Sequence, residues 1–156
     1  MKVVREDIDE KFTQDSDPIY DMGIGMKNVK KWIKEHKNCF EYAFGKGEGK
    51  CTINDDFSID VQGDVRLDEE LDGNFPEYIQ FNKVSGWFSI DNNNMTSLRG
   101  CPYFVGKDFY CSNNDLSSLE YAPKQVGRNF YCDNNRKRFL SKYIETLSKI
   151  SGAIYN

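Results

Sequence analysis

The chain is poor in the residue types that carry most enzymatic and metal chemistry. It has a single histidine, His36, and one imidazole supplies neither a triad partner set nor a ligand set. No Ser or Cys falls in a recognisable nucleophile motif. The five cysteines, Cys39, Cys51, Cys101, Cys111 and Cys132, form no CxxC pair, and an odd count argues against a disulfide framework. No apolar run is long enough to span a membrane, and the stretch from Met1 to Asp7 lacks the apolar core of a signal peptide. The expectation is a cytoplasmic protein with no membrane partner and no cofactor. Basic excess is missing too: the formal net charge is -4. That argues against a nucleic-acid partner, since phosphate contacts need a basic surface.

What is present is a phrase repeated at a period of about 21 residues, short enough for a solenoid. Phe88, Phe109 and Phe130 keep this spacing, as do Val84, Val105 and Val126, and Asn93, Asn114 and Asn135. Ile90, Cys111 and Cys132 share one column, so the two thiols read as small buried hydrophobes. Met95 pairs with Leu116, Leu98 with Leu119 and Pro102 with Pro123. Such a unit cannot bury its apolar side alone, so neighbouring coils must stack on it. Alternation at Trp87-Phe88-Ser89-Ile90 is a strand with Phe88 and Ile90 inward. The Asn comes where the chain leaves the strand. Turned inward, it can bond backbone groups that would otherwise be buried unpaired at roughly 1–3 kcal/mol each.

Four segments follow. Residues 1–25 read as an acidic, turn-rich arm, with Ile19, Tyr20, Met22 and Ile24 able to dock it. Residues 26–61 combine a short helix over 26–37 with a hairpin over 51–61. The helix has Met26, Val29, Trp32 and Ile33 on one face and Lys27, Lys30, Lys31 and Lys34 on the other. Between helix and hairpin, Gly45-Lys46-Gly47-Glu48-Gly49-Lys50 fits neither the Walker nor the Rossmann spacing and reads as a connection. Residues 62–135 are the coils, the first degenerate: Gly63-Asp64-Val65-Arg66-Leu67 aligns with Gly86-Trp87-Phe88-Ser89-Ile90. Residues 136–156 hold an amphipathic helix over 136–151, with Phe139, Leu140, Tyr143, Ile144, Leu147 and Ile150 as its stripe and Gly152 as its stop.

The coil pattern resembles the leucine-rich-repeat family, whose shared segment runs LxxLxLxxNxL. The short period and the proline after the second Leu resemble the short bacterial class. The wording of Leu116-Ser117-Ser118-Leu119-Glu120-Tyr121-Ala122-Pro123 is closer still to repeat proteins encoded by bacteriophages. The resemblance covers about half the chain. It implies an α/β architecture: a short leucine-rich-repeat-like solenoid of about four coils with a parallel sheet on its concave side. A helix and hairpin would cap its N-terminal end and a helix its C-terminal end. The chain departs from the family in using Phe and Cys where Leu is usual, and the last coil loses its final column at Lys137.

Outward positions of the expected sheet form three stripes: Asp64, Trp87, Asp108 and Asn129; Arg66, Ser89, Tyr110 and Tyr131; Asp68, Asp91, Ser112 and Asp133. Trp87, Tyr110 and Tyr131 inside an acidic surround suit a binding hot spot. The same rings could instead cover the sheet or pack on the arm. Asp68, Asp91 and Asp133 read as an electrostatic face for a basic partner rather than as a catalytic pair, since an open sheet lacks a water-excluding cleft. The leading expectation is a non-enzymatic protein-binding module, a monomer or weak homo-oligomer. The phage resemblance implies an inhibitor of a host defence protein, acting in the host cytoplasm. A virion-associated or adhesion protein is the alternative, and a small-molecule binder comes third.

Overall fold

The structure, a computed structural model, describes residues 18–41 and 50–156. The glycine-lysine connection, apart from Lys50, and the first 17 residues of the expected arm lie outside the described residues. Twelve strands are described in two six-stranded sheets: β1 (Phe40–Glu41), β2 (Lys50–Ile53), β3 (Ile59–Gln62), β4 (Asp64–Arg66), β5 (Phe81–Val84), β6 (Phe88–Ser89), β7 (Phe104–Val105), β8 (Phe109–Tyr110), β9 (Gln125–Val126), β10 (Phe130–Tyr131), β11 (Lys149–Ile150) and β12 (Ile154–Tyr155). Each coil gives one strand to each sheet. The first sheet runs β1-β4-β6-β8-β10-β12 and the second β11-β9-β7-β5-β3-β2. Pairing is antiparallel between β1 and β4 and between β2 and β3, and parallel everywhere else in the two sheets. The chain is a β-solenoid of about four turns.

The return arm therefore makes its own parallel sheet, where a single sheet was expected. The β-branched Val84, Val105 and Val126 pair in register and are 0% exposed. The coils come so close that a Cβ on Gly127 would lie 2.0 Å from the Gly106 carbonyl oxygen, and one on Gly106 would lie 2.1 Å from that of Ser85. Both positions exclude any side chain, because the atoms in the way are backbone.

Between the sheets, Phe88 stacks on Phe109 at 6.2 Å and Phe109 tilts against Phe130 at 5.0 Å. All three are fully buried, each worth roughly 1.5–3 kcal/mol of apolar transfer. Val65, one coil earlier, and Ile154, one coil later, hold the same register. At the N-terminal end Trp32 meets Phe40, Phe75 and Phe81 at 6.0–6.5 Å between ring centres.

The asparagine columns have two jobs. Asn114 is buried, and its Oδ1 accepts from the backbone N–H of Asn93 and of Met95, each at 3.0 Å. Its Nδ2 donates to the carbonyls of Ile90, Cys111 and Ser112. Asn93 and Asn135 reach across the coils in the same way, with Oδ1 accepting from Leu71 and Leu116 respectively. The residue before each, Asn92, Asn113 and Asn134, has φ of 58, 54 and 53°. Asn tolerates this left-handed region better than other side chains do. The Asn-Asn doublet thus turns the chain with its first member and ties the coils with its second.

The helices differ from the expected spans. Helix α1 covers Pro18–Glu35 and starts earlier than residue 26. Proline suits a first helical position. Gly25 sits inside it where a Cβ would come within 2.8 Å of the Phe57 ring, so the glycine allows close packing rather than ending the helix. Val29 and Trp32 are buried and the four lysines face solvent. At the other end the helix expected over 136–151 is confined to α2 (Ser141–Leu147). Ile144 is buried, Leu147 is half-buried and Leu140 is 69% exposed. Gly152 does not stop a helix; it lies between β11 and β12, and a Cβ there would meet the Arg128 carbonyl at 2.6 Å. Ile150 pairs with Val126 and Ile154 with Phe130, so the last residues form a further partial coil that extends both sheets. Among the described residues no helix is long and apolar enough to cross a membrane.

Candidate interaction face

Of the outward residues singled out from the sequence, Asp64, Arg66, Ser89, Tyr110 and Tyr131 lie in strands of the first sheet, Trp87, Asp108 and Asn129 stand just before a strand, and Asp68, Asp91, Ser112 and Asp133 stand two residues after one. The sheet's columns are in register: Arg66 beside Ser89, Ser89 beside Tyr110, Tyr110 beside Tyr131. The pairing adds Tyr155 beside Tyr131, a residue that sequence reasoning missed because it placed this segment after a helix. The spacing held the signal, since Ile150, Ile154 and Tyr155 repeat the spacing of Val126, Phe130 and Tyr131. Tyr110 stacks on Tyr131 and Tyr131 on Tyr155, both at 4.5 Å with planes 8° and 5° apart. Trp87 meets Tyr110 at right angles, 6.3 Å between centres. Tyr155 is exposed, while Trp87, Tyr110 and Tyr131 are half-buried. Burial raises the Tyr110 hydroxyl pKa, and the nearby Asp108 adds to it.

The polar residues around the rings also bind the coils together. Asp64 Oδ1 accepts from the Trp87 N–H at 2.9 Å and Asp108 Oδ1 from the Asn129 N–H at 3.0 Å. Asn129 Oδ1 accepts from the Ala153 N–H at 2.8 Å. The neighbouring column repeats the device: Asp68 Oδ1 accepts from the Ser89 hydroxyl and the Asp91 N–H, and Asp91 Oδ1 from the Ser112 N–H at 2.7 Å. The Ser112 hydroxyl donates to Asp133. Ser89, Asp108 and Ser112 are buried. Arg66, Asp91, Asn129 and Asp133 keep solvent access alongside the rings.

Asp91 stands out electrostatically. Its partial burial holds the carboxyl pKa up at about 6, and repulsion from Asp68 and Asp133 adds to this, against the bond from Ser112. Arg66 Nε lies 3.3 Å from Asp68 Oδ2, and Arg128 Nε 3.9 Å from Asp108 Oδ2. A depression of about 280 Å³ opens between Arg66, Asp68, Trp87, Ser89, Asp91 and Tyr110. It lies over Ser89, where the ring column has no ring.

Other residues named from the sequence are placed without chemistry. His36 is half-buried, stacks on Trp32 at 4.2 Å, and has Nδ1 2.9 Å from the Trp32 carbonyl oxygen. All five cysteines are free thiols. Cys111 and Cys132 are 0% and 2% exposed, and burial pushes the Cys132 thiol up to about 12 and that of Cys111 well above its ordinary value. Among the described residues no group of His, Cys, Asp and Glu could hold a metal ion. Comparison with family models, with curated proteins and with solved structures gives no match.

Proposed function

We propose that this chain is a non-enzymatic protein-binding module whose partner docks on the first sheet. The observation that carries the reading is the unbroken ring column Tyr110–Tyr131–Tyr155 flanked by Trp87 and edged by Asp91 and Asp133. Large amphipathic rings at low side-chain entropy, with charge at the margin, are what binding surfaces concentrate. The face carries more carboxylates than cations, which suits a partner with a basic patch. The repeat wording adds the finer reading: a leucine-rich-repeat-like protein of the short, bacteriophage-encoded kind that disables a host defence protein in the cytoplasm. In that reading α1 with the β2–β3 hairpin closes one end of the core and the segment from α2 onward closes the other.

The test is capture of a single host protein from lysate, compared with the Tyr131→Ala, Tyr155→Ala double variant. Both rings point away from the core, so the variant should keep its cooperative melt and lose the partner. A partner held at full affinity by the folded double variant would move the functional surface elsewhere, first to the lysine face of α1.

A further inference from the structure

We propose that the depression over Ser89 is a seat for one planar cation, the guanidinium of an arginine side chain presented by a protein partner. The proposal rests on the reading of the first sheet as a partner face and specifies the chemistry that the face selects.

The argument begins with a gap. The column Arg66, Ser89, Tyr110, Tyr131, Tyr155 runs across adjacent strands. Three rings fill three successive positions, and the next position holds the small Ser89. Strands lie about 4.8 Å apart, so the space between Tyr110 and Arg66 spans two strand spacings and is wide enough for one flat group. Trp87 walls it on one flank, and Asp68 and Asp91 wall it on the other. The floor is already satisfied: the Ser89 hydroxyl donates to Asp68 Oδ1, and Asp68 Oδ2 takes Arg66. Asp91 uses Oδ1 on the Ser112 N–H, and among the described residues its Oδ2 accepts nothing. The seat thus offers ring surface and one open carboxylate oxygen, with excess negative charge from Asp68, Asp91 and Asp133 against Arg66.

A guanidinium fits these terms better than an ammonium or a neutral plane. It stacks flat on aromatic rings, donates several N–H bonds in its own plane, and sheds water more easily than lysine does. The protein itself already places one guanidinium, that of Arg66, against Asp68 at the margin of this depression. The pKa of Asp91, raised by burial and then by Asp68 and Asp133, fits the same picture, since a further cation there would favour the ionised carboxylate. Binding a cation should therefore release a proton from Asp91 and tighten as pH rises through about 6. The charged and titratable groups near Asp91 are Asp68, Asp133, Arg66, Tyr110 and the buried Cys111 thiol.

The experiment titrates the full chain with three blocked tripeptides, Gly-Arg-Gly, Gly-Lys-Gly and Gly-citrulline-Gly. The readout is the indole N–H resonance of Trp87, with that of the buried Trp32 as internal control. The arginine peptide should move the Trp87 signal alone and bind at least about tenfold more tightly than the citrulline peptide. Its affinity should rise between pH 5 and pH 7 and fall by a similar factor in Asp91→Asn, which keeps the acceptor for Ser112. Equal binding of the citrulline peptide, an unchanged Asp91→Asn titration, or no shift at Trp87 would each overturn the proposal. Loss of a captured host protein in Tyr131→Ala, Tyr155→Ala, together with silent arginine titrations, would leave the partner face standing and remove only the guanidinium seat.

Discussion

Replacing Asn114 with Ala tests the coil-to-coil ties at their centre. The side chain makes five hydrogen bonds. Its three carbonyl partners have other donors: Ile90 takes Asn93 Nδ2, Cys111 takes Asn135 Nδ2, and Ser112 takes the Asn92 N–H. The two N–H groups it serves, on Asn93 and Met95, depend on its Oδ1. Each such donor left buried costs roughly 1–3 kcal/mol, so Asn114→Ala should lose about 2–6 kcal/mol. The same change at Asn135 strands one N–H, that of Leu116, at a half-buried site. It should cost about half as much, roughly 1–3 kcal/mol. Urea unfolding at constant slope measures both. A loss below about 1 kcal/mol at Asn114, or equal losses at the two sites, would show that water or a shifted turn replaces the side chain, and the ladder would not hold the coils.

Gly127→Ala places a methyl 2.0 Å from a backbone oxygen, so the coils must part; the variant should lose more than about 2 kcal/mol or fail to fold, and a wild-type melting curve would refute the spacing. Tyr121 is 55% exposed at φ 69°, a region its β-carbon disfavours, and one coil earlier Gly100 holds that place at φ 96°. Tyr121→Gly should therefore stabilise by about 0.5–1 kcal/mol in chemical denaturation; destabilisation would mean that the ring makes contacts worth more than its strain. Asp91, with its folded pKa raised to about 6, favours the folded state while protonated, so its contribution is fully present below about pH 4 and is lost as pH rises through 6. Asp91→Asn should be the more stable protein at pH 7 and should match the wild type near pH 4; a pH-independent difference would remove the electrostatic account.

Much of the fold was legible because a solenoid writes its packing into sequence columns. Phe88, Phe109 and Phe130 had to share one environment, and so did Val84, Val105 and Val126, since each coil repeats its predecessor's contacts. The second sheet was not legible. Its strands in the later coils, β7, β9 and β11, are as short as those of the first sheet, but Gly106 and Gly127 directly follow Val105 and Val126, so no alternation extends past them as Phe88-Ser89-Ile90 extends past β6. The C-terminal partial coil was hidden by a different competition. Phe139, Ile144, Leu147 and Ile150 do follow helical spacing, but the strand register of Ile150 and Ile154 takes over after one short helix. Leu140 keeps the place of Leu119 in the sequence alone; in space Phe139 is the buried neighbour.

The outward column proposed for binding was legible as a row of side chains, but not in what those side chains already bond. Alternation placed Trp87, Tyr110 and Tyr131 outward; the pairing puts Tyr110 and Tyr131 on one sheet, and Trp87 packs against Tyr110 from just before β6. Alternation cannot tell an outward residue that meets solvent from one that is spent on the next coil. Asp64, Asp68, Asp91 and Asp108 all accept a backbone N–H one coil later. A carboxylate column there is first a device for closing coils whose strands are too short to satisfy every amide. The same limit applies to the rings. Tyr131 has a tyrosine stacked on each side, so its faces are already covered and a docked partner would meet its edge and hydroxyl. Among the described residues, free ring surface of this column is left only where it stops, at Tyr155 on one end and beside Ser89 on the other. Specific contacts should concentrate at those two ends, and the middle of the column should set shape and rigidity.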